Sequence, residues 1–108
     1  MAHIELINGK WNTLSLAEQL GNIGSEVSRT KRWQGKEETS FVNASERALE
    51  LFDLTLDDIR WRGRHKEIAR AREVFCDALF DGKEYSSSLV DLDKYFFHFA
   101  VLARVQIA

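Results

Sequence analysis

Proline is missing from this chain of 108 residues. No pyrrolidine ring therefore removes a helical N–H or clashes with the turn before it, and the stops must come from Gly, Asn and Ser. These residues cluster at 8–12, 35–40, 63 and 81–88. Cysteine is nearly missing too. The single Cys76 excludes an intrachain disulfide framework and a paired-cysteine zinc site. Its neighbours Val74, Phe75, Ala78 and Leu79 make it a small buried hydrophobe. No apolar run reaches the roughly 18 residues that span a bilayer. The first residues lack the charged-then-apolar pattern of a secretory signal. A cytoplasmic protein with no membrane partner is expected. Net charge is only −2, so no global field draws the chain to nucleic acid, and such a role needs a local patch.

What is present fits one soluble domain over residues 1–108: 44% hydrophobic and 30% charged residues, on a chain long enough to bury its own core. Residues 1–13 alternate and contain Asn8-Gly9, a hairpin-turn signal, but are too short for a sheet, so they read as an extended arm. Ser15 and Glu18 form a capping box that opens a helix over about 15–33. Leu16, Leu20, Ile23 and Val27 share one face of it. A second helix over about 39–59 buries Phe41, Ala44, Ala48, Leu51, Phe52, Thr55 and Ile59. Its carboxylates Glu46, Glu50, Asp53 and Asp57 gather on the opposite, solvated side. A third, over about 64–80, turns Ile68, Ala71, Phe75, Ala78 and Leu79 inward and ends at Asp81-Gly82. A fourth runs over about 88–107 from Ser87 or Ser88. The expected fold class is all-α, an antiparallel up-down four-helix bundle with a short extended N-terminal arm.

Two features suggest contacts beyond an isolated bundle. Beside the first helix's apolar face runs a stripe of Ala17, Gly21, Gly24 and Ser28. A mid-helix Gly costs roughly 1 kcal/mol relative to Ala, so close approach of another backbone is the expected offset. That backbone is a neighbouring helix or a second subunit; a small-molecule pocket is a residual reading. The fourth helix builds its inner face from Leu89, Leu92, Phe96, Phe99, Ala100, Ala103 and Ile107. Phe97, Val101 and Val105 form a second apolar face 100° or more round the helix. A helix apolar on most sides is normally covered on most sides. The arm, through Ile4, Leu6, Ile7 and Trp11, or a partner subunit is the expected cover.

The stretch "DIRWRGRHKEIARAR" at 58–72 crowds Arg60, Trp61, Arg62, Arg64, His65, Lys66, Arg70 and Arg72 together. Three readings compete. In the structural one, cations near helix C-termini offset the macrodipole and Arg72, beside the core stripe, has an acidic partner. In the binding one, Arg60, Arg62, Arg64 and Lys66 contact phosphates while Trp61 stacks on a base. In the catalytic one, Arg60-x4-His65 resembles the Arg-x(4–6)-His motif of HEPN ribonucleases, a superfamily of four-helix bundles. That resemblance implies an RNA-cleaving site across a dimer, with His65 in acid–base chemistry. On one continuous helix, residues five apart point about 140° from each other, so convergence requires a break at Gly63. His98 lacks a Glu three positions earlier, so the Glu-x-x-His motif of diiron bundles is absent.

In size and helix plan the chain also resembles small bacterial four-helix-bundle proteins, those encoded in ribosomal-RNA intervening sequences and the accessory proteins of diversity-generating retroelements. The resemblance implies a homo-oligomer that binds a protein partner or RNA without catalysis. The expected function is thus a non-catalytic interaction or assembly protein, self-associating, with a protein or RNA partner beside that. Its interface residues would be Phe97, Val101, Val105, Ala17, Gly21, Gly24 and Ser28. No cofactor and no metal are expected. The alternative is a HEPN-like ribonuclease or RNA binder that uses Arg60 and His65.

Overall fold

A computed structural model describes residues 9–80 and 88–107, without the side chains of 104, 106 and 107. Ile4, Leu6, Ile7, Asn8, Asp81-Gly82 and Ser87, and the side chain of Ile107, lie outside the described residues. Within them the chain is all-helical with four α-helices and no strand: α1 (Leu16–Trp33), α2 (Glu38–Leu56), α3 (His65–Leu79) and α4 (Leu89–Ile107). Short 3₁₀ segments at Trp11–Thr13 and Ile59–Arg64 precede α1 and α3.

The helix starts follow local side-chain chemistry. Ser15 Oγ accepts from the Glu18 N–H and the Glu18 carboxylate accepts from the Ser15 N–H, the capping box read from sequence. Glu37 caps α2 by accepting from the Thr39 and Ser40 amides, and these bonds with Ser40 hold its carboxyl below the usual range. Ser88 caps α4 through the Asp91 N–H. Between α1 and α2, Gly35 takes φ +74, the left-handed region that a Cβ disfavours.

The core forms where the apolar stripes meet. Phe52 of α2 is fully buried, with its ring centroid 5.8 Å from those of both Phe75 on α3 and Phe96 on α4. Ile23 and Val27 bring α1 into the same cluster. Arg72 has the acidic partner expected of it, Asp53, at 2.9 Å.

Three expectations need correction. The described end of the arm, residues 9–13, is wound into helical turns, and Trp11 is 1% exposed. Its indole N–H donates to Thr55 Oγ1 at 3.2 Å, so this residue belongs to the core and does not cover α4. The second helix stops at Leu56, short of 59, because Asp58 is extended and caps the next segment by accepting from the Arg60 N–H. The connection at 60–63 is accordingly a 3₁₀ helix kinked at Trp61, and Ile59 is 76% exposed instead of buried.

The Gly stripe of α1 explains how α1 and α4 pack. A Cβ built on Gly24 would stand 2.6 Å from Phe96 Cβ, and one on Gly21 would stand 3.2 Å from the Ala100 Cα. Together with Lys31–Asp93 at 2.7 Å, these contacts run in opposite sequence directions along the two helices. Gly24→Ala is therefore expected to lower stability by about 1–2 kcal/mol, because overpacking outweighs the gain in helix propensity. Gly21→Ala should cost less, since its clash is milder; urea unfolding of both variants measures the difference.

Candidate interaction surface

The inner side of α4 is buried through Leu89, Leu92, Phe96 and Ala103. Its other sides are not. Of nine exposed large apolar side chains among the described residues, six belong to α4: Val90, Tyr95, Phe97, Val101, Leu102 and Val105. That concentration in one helix distinguishes α4 from the scattered apolar exposure normal on any surface. Phe97, at 63% exposed, flanks α1, and Val101 and Val105 follow it one turn apart, each about 40° further round toward the outer side of α4. Val90 lies on the same side. Tyr95 and Leu102 lie on the side toward α3, more than 90° from Phe97 by the same geometry.

The small-residue stripe of α1 borders the Phe97 side. Gly21, Gly24, Ser25 and Ser28 line a groove of about 290 Å³ together with Arg29 and Arg32 of α1 and with Asp93, Phe96, Phe97 and Ala100 of α4. The close contacts of Gly21 and Gly24 are thus with α4 of the same chain. Ala17 is buried, while Ser28 stays half-exposed at the groove.

The basic stretch has its own geometry. Arg60 makes two hydrogen bonds to the Asp58 carboxylate, at 3.0 and 2.7 Å, donates to the Leu14 carbonyl at 2.7 Å, and lies 4.4 Å over the Trp61 ring. Its guanidinium is a clamp between the 3₁₀ segment and the start of α1. His65 is the first residue of α3 and exposed; its N–H donates to the Arg62 carbonyl, and its imidazole makes no hydrogen bond among the described residues. Arg64 pairs with Glu67 at 3.2 Å. Arg62 and Lys66 point to solvent. Trp61 is half-buried and donates its indole N–H to Gln19 Oε1 at 2.9 Å, so one edge of the ring is held inside.

Behind Arg60 lies a polar network that the sequence reading missed. Gln19 is fully buried; its amide donates to the Trp11 carbonyl at 2.9 Å and to Asp58 Oδ2 at 3.0 Å while accepting from Trp61. Asp58, itself buried, therefore receives bonds from Arg60 and Gln19, which outweigh the effect of burial and lower its pKa to about 2. A polar Gln among Leu16, Leu20 and Ile23 was the available signal. The open groove between α3 and α4 was also missed; it is lined by Ala71, Val74, Leu92 and Tyr95 with a volume of about 380 Å³. Burial, then the nearby Glu67, raises the pKa of the Tyr95 hydroxyl.

Among the described residues no group of His, Cys, Asp and Glu could hold a metal ion, and no helix is long and apolar enough to cross a membrane. No family model matches the chain, and neither does any curated protein or solved structure.

Asp58 sets a pH prediction. Its folded pKa, about 2, is below the ordinary 3.8, so its contribution is complete well above 3.8 and is lost as pH falls through about 2. The shift corresponds to about 2 kcal/mol. Asp58→Asn should lower stability at neutral pH and flatten the acid limb of the stability curve between pH 4 and 2, measured by chemical unfolding at each pH.

Proposed function

We propose that this protein is a non-catalytic interaction and assembly protein that docks another protein chain on the outer side of α4 and the adjoining flank of α1. The reading keeps the antiparallel up-down bundle expected from sequence, and the self-association expected there is one outcome of the test below. One observation carries it: Phe97, Val101 and Val105 line up on one side of α4 and are 63%, 42% and 67% exposed. Covering what remains open of each side chain is worth about 1–2 kcal/mol, a favourable share that the polar contacts of the same interface must supplement to offset the cost of association. The commitment of Arg60 to Asp58 and Leu14 supports a structural role for the basic stretch over RNA cleavage.

A photo-crosslinking residue placed at 97 or 101 in the producing cell tests the reading, with the exposed Glu46 position on α2 as control. A discrete adduct is expected at 97 and 101 and none at 46. An adduct of twice the chain mass identifies self-association, and any other mass a foreign chain. No adduct, or the same smear at all three positions, overturns the proposal.

A further inference from the structure

The charges around Phe97 say what kind of chain this surface suits. Phe97 separates two adjoining grooves. The first, described above, carries Arg29 and Arg32 on its rim. The second is lined by Ser28, Asp93, Lys94, Phe97 and His98. Asp93 is the one carboxylate lining either groove, and Lys31 neutralises it at 2.7 Å. Arg29 is matched in part by Glu26 at 3.2 Å. Among the described residues no carboxylate pairs with Arg32 or Lys94, both exposed. A chain of net charge −2 thus flanks the exposed Phe97 with cations in both grooves.

We infer that the α1–α4 face receives an acidic amphipathic helix of another protein, with apolar side chains of that helix against Phe97, Val101 and Val105 and its carboxylates facing Arg32 and Lys94. The inference rests on the docking reading above and specifies the partner. Three arguments select this occupant. A row of exposed apolar side chains one turn apart, which starts at the groove with Phe97 and continues along the outer side of α4, matches the apolar face of a helix laid alongside. Unpaired cations beside the anchors favour carboxylates and repel like charge. A second copy related by a two-fold axis would present the same cations to this rim, which makes it the poorer fit. An anionic bilayer would meet the same charges, but only two unpaired cations, one in each of two grooves, flank Phe97, whereas anionic lipid surfaces are bound through clusters of several.

The test uses the full chain and two synthetic helical peptides. One is built of Leu, Ala and Glu with Leu at every third or fourth position; its twin carries Lys in place of each Glu. Fluorescence anisotropy is expected to show the Glu peptide binding about tenfold tighter than its twin, with the preference shrinking as salt rises. Arg32→Glu combined with Lys94→Glu should reverse the preference. Phe97→Ser should weaken the Glu peptide about tenfold or more, with an unchanged melting temperature because that side chain is mostly exposed. Binding that depends on Phe97 but not on peptide charge overturns the acidic partner and leaves the docking reading standing. Failure of both peptides, with the 97 and 101 crosslinks still formed, does the same. Failure of both peptides and of the crosslinks removes both. Tighter binding to phosphatidylserine vesicles than to the Glu peptide assigns the face to a membrane and overturns the inference.

Discussion

The closeness of α1 to α4 sets the geometry of everything else. With any side chain at position 24 the Phe96 Cβ could not stand where it does. Because Gly24 allows it, Phe96 reaches through to Phe52, and α2 and α4 share a ring contact at the centre of the core. Closing these two helices also fixes the rotation of α4. Once Phe96 points inward, the next residue must point about 100° away, along the α1 flank and not into the bundle. The exposure of Phe97 is therefore a consequence of the same contact that builds the core. Either could be relieved only at the expense of the other.

A second constraint acts at the opposite end of α1. Gln19 has an amide with two donors and an oxygen acceptor, and all are used on groups from two separate segments: the Trp11 carbonyl in one, the Asp58 carboxylate and the Trp61 indole in the other. A buried amide left half-satisfied would be costly, whereas a complete network rigidifies what it joins. Here it fastens both 3₁₀ segments to α1. The Arg60 guanidinium closes the network on its solvent side, and Asp58 stays ionised because Arg60 and Gln19 both donate to it. The density of charge at 58–72 is thereby given a local structural use, with Asp58, Glu67 and Asp53 each taking up one arginine.

Much of the fold was legible because its signals are local. The capping box at Ser15, the stop after Trp33, the apolar spacing through Phe52 and Phe75, and the need of Arg72 for an acidic partner follow from periodicity and from the cost of unpaired charge, although the identity of that partner, Asp53, does not. The Gln19 network was not legible, since it joins residues 8, 39 and 42 positions apart and no spacing rule links them. The end of α2 was misplaced for a related reason. "LDDI" continues the apolar period to Ile59, and only the tertiary demand of Gln19 and Arg60 on Asp58 turns that residue into a cap. Trp11 was assigned to the arm because a lone aromatic in an alternating segment carries no period. Its place became apparent only beside Thr55.

The candidate surface was half legible. Excess apolarity on α4 shows in the sequence, since Phe97, Val101 and Val105 cannot share a face with Phe96 and Ala103. The charge beside them does not. Arg29 and Arg32 stand more than sixty positions from Lys94 in a chain whose net charge is only −2, and only the register of α1 against α4 brings them to adjoining grooves that share Phe97. That register comes from Gly21 and Gly24. The glycines therefore have two consequences. They let the helices close, and they leave a trough lined by Phe96 and Phe97 of α4 and by Arg29 and Arg32 of α1. Larger residues at these positions would push α4 outward, fill the trough and separate Arg32 from Phe97. The small side chains are in this sense the source of the surface's shape as well as of the packing beneath it.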